Sequence, residues 1–174
     1  MKVAGAVVLT VFAAICQVTV APLFPAWGVT FDFVLLALIL VAAFGSPQRG
    51  MLCVPVAALA YGFLSGRAPG LLVLCYLPLL PLGLYLEEAR IPLNHYARTT
   101  IALVATGVWV RLLLVLGAVV GGADASAGFV ITGVLLPGAI LDFALLGVVY
   151  VPLRLLGWSG QGMSLSRGGY YSSL

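Results

Sequence analysis

Two ionisable side chains of this chain fall inside apolar runs. Arg111 lies within Thr99–Val120 and Asp142 within Gly128–Leu153. A lone charge at the centre of a membrane helix costs about 2.5–3.5 kcal/mol on an insertion scale. At about 1.5 Å of rise per residue, Arg111 stands roughly 17 Å beyond Thr99 and Asp142 roughly 17 Å before Leu153. Both are therefore at one depth, measured from the same end of their runs. A short connector makes the two runs antiparallel neighbours, so an Arg111–Asp142 ion pair is geometrically natural. Intramembrane charges are default candidates for transport sites. Arg does not deprotonate in proteins, however, and no His or Glu lies at this depth. The spacing therefore favours a structural clamp over a proton relay.

Other chemistry is thinly supplied. Asp32 and Arg67 form a second possible pair near the outer surface, where water weakens the attraction and partner contact becomes an option. Trp27 suits the same interface, as aromatic rings sit at headgroup depth. There is no Ser/His/Asp set and no pair of carboxylates at one depth. His95 is the only histidine, which excludes zinc spacing, and Lys2 is the only lysine, which excludes a phosphate-loop lysine. Cys16, Cys53 and Cys75 sit in apolar runs without a CxxC pair and read as small hydrophobes. No enzymatic activity, metal or cofactor is expected.

The elements that position these residues follow from hydropathy. Hydrophobic residues make up 63% of the 174 and charged ones 7%, against about a quarter charged in soluble domains. A bilayer core needs about 20 apolar residues per helix. Spans are expected near Val3–Ala21, Val29–Phe44, Gly50–Ser65, Pro69–Leu86, Thr99–Val120 and Gly128–Leu153. The expected fold is all-α, a polytopic membrane protein with six transmembrane helices. With the amino terminus inside, Lys2, Arg49, Arg90, Arg98, Arg154 and Arg167 face the cytoplasm and Arg67 alone faces out. Basic loops stay cytoplasmic, so both termini are expected there. The net charge of +3 is explained by those loops and calls for no nucleic-acid partner. The first run is read as a retained helix, since no small-x-small cleavage site precedes a soluble domain.

Residues 1–156 are read as one six-helix domain and 157–174, rich in Gly and Ser, as a flexible cytoplasmic tail. Helices two and three are short, at the lower limit for a membrane span. Full crossing is preferred for both, because a shallow hairpin would bury Arg49. Helix three carries Ala58, Gly62 and Gly66, a small-xxx-small row suited to close helix packing. Pro78 and Pro81 are expected to bend helix four. The polar stretch Glu87–Arg98 is the longest connector and reads as a solvated loop.

Several segments resemble the rod shape-determining protein MreD family of bacterial cell-wall elongation. Cys16-Gln17-Val18-Thr19-Val20 is similar to the family's Leu-Gln-Ser-Thr start. Phe31-Asp32-Phe33-Val34-Leu35-Leu36 is similar to its Pro-Asp-Leu-Leu-Leu segment. Gly45 to Gly50 and Gly62-Phe63-Leu64-Ser65-Gly66 with Pro69-Gly70-Leu71 continue the likeness. The family usually has Asp where Gly62 stands and Pro where Phe31 stands, and Arg67 is outside its pattern. The resemblance implies a non-enzymatic inner-membrane scaffold that binds an MreC-like single-span protein and other elongation-complex membrane proteins. In it, Asp32 would serve packing or partner contact. The rival reading is the substrate-binding component of an energy-coupling-factor vitamin transporter, with a pocket near the outer surface built from Trp27, Asp32, Arg67 and Asp124. Short outer loops poor in hydrogen-bonding side chains count against that reading.

Overall fold

The computed structural model describes residues 3–25, 27–44, 47–81, 95–124 and 126–155. The proposed tail, most of the Glu87–Arg98 connector and the side chains of Arg49 and Arg154 lie outside them. The described chain is helical: α1 (Val3–Thr19), a 3₁₀ turn (Ala21–Leu23), α2 (Phe33–Phe44), α3 (Pro47–Ser65), α4 (Pro69–Tyr76), α5 (His95–Val120) and α6 (Leu136–Leu155). A single turn, Ala127–Phe129, and a π-helical segment, Val130–Leu135, lead into α6.

Among the described residues, three helical stretches are long and apolar enough to cross a membrane: Val3–Leu23, Tyr96–Val120 and Ala127–Leu153. The protein is therefore a membrane-associated helical bundle. The shorter apolar helices are Phe33–Ala43, Leu52–Ser65 and Pro69–Pro81.

α2 is the spine. Every residue from Val34 to Val41 is buried. A helix that is apolar all round either faces lipid or is enclosed by protein, and α2 is enclosed. It packs on α1 and α3 on one side and on α5 and α6 on the other. Its extent differs from the expected Val29–Phe44. The helix starts at Phe33, and Gly28–Asp32 form a non-helical approach. Asp32 sets this boundary by capping: its Oδ1 accepts the Leu35 backbone N–H at 2.8 Å, as a good N-cap side chain does for one of the orphan donors of the first turn.

α1 meets α3 through small side chains. Ala6, Thr10, Ala13, Ala14 and Gln17 form its buried stripe, and Cys53, Val54, Ala57 and Ala58 answer from α3. Small residues let two helix backbones approach closely without a hydrophobic driving force between them. Thr10 directs its hydroxyl to the Val7 carbonyl at 2.9 Å, so the polar group is satisfied within α1.

The three small residues expected to form one packing row separate into different roles. Ala58 is fully buried in the core. Gly62 faces the first residue of α4: a Cβ there would lie 2.8 Å from Pro69 Cα. Gly66 falls beyond the end of α3, exposed, with φ +67°. That left-handed conformation ends the helix and suits glycine. Gly66 thus makes the α3–α4 corner and Gly62 lets it close. α4 ends at Tyr76, and Pro78 lies in the turn that follows, where its missing N–H is not needed by a helix.

Gly62→Ala should force α4 off α3 and cost about 1–3 kcal/mol, as overpacking does. Thermal unfolding in detergent checks this, and an unchanged midpoint would show that the corner yields freely.

Candidate functional site: a buried charge cluster beneath a cavity

The geometry is built around Arg111 of α5. Its Nη1 donates to Asp142 Oδ2 of α6 at 2.7 Å. Arg111 is 8% exposed and Asp142 2%, so the pair is buried among the helices. Two glycines make the space. A Cβ on Gly107, one turn before Arg111, would come within 3.0 Å of both Arg111 Nη1 and Asp142 Oδ2. A Cβ on Gly138, one turn before Asp142, would run into the Arg111 guanidinium. The guanidinium therefore lies across the bare backbone of α6. Pro137 precedes this glycine and has no N–H to give the preceding turn. The π-helical segment ends close by, at Leu135. π-Turns of this kind are rare and frequent at functional positions.

α2 reaches the same place. Leu35 Cδ2 would lie 3.3 Å from a Gly107 Cβ, so the first turn of α2 stands beside the ion pair. Asp32, on the turn that Leu35 closes, is within electrostatic reach of both Arg111 and Asp142. The Tyr76 hydroxyl of α4 donates to Asp32, 3.3 Å from each carboxylate oxygen.

Gln17 of α1 completes the set. Its Nε2 donates to the Phe31 carbonyl at 2.9 Å and its Oε1 accepts the Phe33 N–H at 2.7 Å. One amide side chain thus serves both polar groups of the backbone that brackets Asp32. Backbone that lies outside a helical ladder needs such partners where it is withdrawn from solvent.

Above the cluster opens a cavity of about 610 Å³, which reaches from Arg111, Asp32, Gln17 and Tyr76 to Arg67 at the rim. Tyr61 and the backbone of Gly28–Phe31 line one side, and Leu71, Val110, Leu114, Val115 and Val134 line the rest. This size lies within the roughly 300–1,000 Å³ of small-molecule sites.

Arg111 and Asp142 are brought into direct contact. Asp32 and Arg67 share the cavity but form no ion pair among the described residues. Asp32 lines the cavity at the start of α2, within electrostatic reach of Arg111. Trp27 is exposed in the connector before α2, with φ 52°, and does not line the cavity. Asp124 lies exposed in the connector after α5, also outside the cavity lining. Tyr61 and Tyr76 carry no motif that marks them in the sequence. Their hydroxyls sit in otherwise apolar helices, and a buried tyrosine usually finds a partner, which is the one signal that points to them. No group of three or more His, Cys, Asp or Glu capable of holding a metal occurs among the described residues.

Removing either member of a buried pair strands the other. Arg111→Ala and Asp142→Ala should each lower stability by about 3–5 kcal/mol. The double variant should lose less than their sum, and additive losses in a detergent unfolding cycle would disprove the coupling. Gly138→Ala should cost about 1–3 kcal/mol in the native background. With Arg111→Ala present, the added methyl should be nearly free. An equal cost in both backgrounds would place the clash elsewhere.

No family model, curated protein or solved structure was found to match the chain.

Proposed function

We propose that the protein is a non-enzymatic scaffold of the bacterial cell-wall elongation machinery, of MreD type, in the cytoplasmic membrane. It would cross the membrane six times with both termini inside and dock an MreC-like single-span partner. The observation that supports this reading is the Gln17–Asp32 junction. Gln17 and Asp32 belong to the two separate segments that open the MreD resemblance. Gln17 holds the backbone on both sides of Asp32, and Asp32 caps α2 and takes the Tyr76 hydroxyl. Residues that share a resemblance and converge on one structural joint are explained by a common fold. The polar side chains at this joint are spent on ties between helices, which suits a rigid platform.

On this reading the shorter helices complete the six crossings. At about 1.5 Å per residue, α2 spans roughly 18 Å, about three-fifths of a bilayer core of about 30 Å. The non-helical approach to Asp32 covers the remaining depth. Arg67 then marks the outer face, and the basic connectors stay inside.

The cavity favours a second reading, a substrate-binding component of a vitamin transporter. Against it stands the connector chemistry: Trp27 and Asp124, both expected to build such a pocket, lie outside its walls.

Purification from detergent separates the two. A single-span membrane protein at one copy per chain is the expected result. A tightly held vitamin and no protein partner would overturn the scaffold.

A further inference from the structure

The hydrogen-bonding groups around the cavity are unevenly balanced. Arg67 is exposed at the rim, and neither it nor the Tyr61 hydroxyl has a hydrogen-bond partner among the described residues. Arg111 lines the floor and spends one donor on Asp142, although a guanidinium carries five. On the acceptor side, Asp32 is the one acid among the described wall residues, and its carboxylate is already held by the Leu35 N–H and the Tyr76 hydroxyl. Among the charged side chains that line the cavity, two guanidiniums stand against one acid, so the complementary ligand carries negative charge nearest Arg67.

The opposite wall is apolar and poorly enclosed. Leu114, Val115 and Val134 face the cavity. Just beyond them, every residue from Leu116 to Asp124 is exposed, as are Ser126 to Phe129. The far end of α5 and the start of the following helix therefore stand clear of the bundle. In a membrane, lipid chains would lie against them and reach the cavity from the side. Arg67 stands exposed just beyond the end of α3, beside the same cavity. A positive rim, a hydroxyl, an apolar flank and a lateral opening together describe one class of ligand.

We propose that this cavity binds a phosphate ester on an apolar body, supplied as a phospholipid of the leaflet at the Arg67 end. Its phosphate lies between Arg67 and Tyr61 and an acyl chain runs along Leu114, Val115 and Val134. Guanidinium groups match phosphate oxygens in pairs, which gives Arg67 its role. The proposal goes beyond the scaffold reading and does not depend on it.

Native mass spectrometry of the full chain in neutral detergent tests it by titration with phosphatidylglycerol, diacylglycerol and glycerol 3-phosphate. The expected result is one saturable phosphatidylglycerol per chain, with diacylglycerol at least tenfold weaker. Arg67→Ala removes the rim charge and should weaken the lipid at least tenfold. Val115→Trp fills the apolar flank, leaves Arg67 in place and should do the same. Glycerol 3-phosphate binding as tightly as the lipid, with the same loss in Arg67→Ala, would keep the phosphate site and assign it to a soluble ester. Diacylglycerol equal to phosphatidylglycerol, or lipid binding untouched by both variants, would overturn the proposal.

Discussion

A guanidinium enclosed among helices must be matched where it lies, and the way this chain matches Arg111 organises the bundle. Opposite charges attract strongly where neither water nor lipid headgroups screen them, but removing both from water is expensive. The geometry has to be good to repay that. Here it requires α5 and α6 to approach closely enough for a 2.7 Å contact, and the bare backbones at Gly107 and Gly138 permit the approach. The first turn of α2 packs against the same point. Two helices are thus registered by one ion pair, and a shift of either along its axis would break it.

The unusual course of α2 follows from this registration. Its buried residues make it the core helix, yet it is too short to cross a bilayer core. Its first turn stops beside Arg111, and the chain reaches that depth in non-helical form. Backbone outside a helical ladder needs partners where it is withdrawn from solvent, and it has them. Gln17 ties Phe31 and Phe33, Asp32 caps the helix, and the stretch Gly28–Phe31 borders the cavity.

Packing is uneven along the bundle. α1, α2 and α3 share a continuous core, whereas the far end of α5 and the turn before the π-segment contribute little to it. Regions with few buried contacts are the first to open. The sparsely packed stretch lies at the cavity end of α5, so opening of the bundle should begin there.

Hydropathy alone determined that the chain is helical and membrane-associated, because no soluble fold tolerates so many long apolar runs. The matching depths of Arg111 and Asp142 were also legible, since rise per residue is constant in a helix and the two runs are joined by a short connector. The same arithmetic missed the start of α2: an apolar run does not reveal where a helix starts inside it, and the cap at Leu35 decided that. Gly66 looked like part of a packing row until its positive φ put it at a corner. Gly107 and Gly138 carried no local signal, for what they accommodate comes from side chains of other turns and helices. Periodicity and charge are properties of a segment and can be read from it. Which side chains share one enclosed volume depends on how the segments cross, and only the packed bundle decides that.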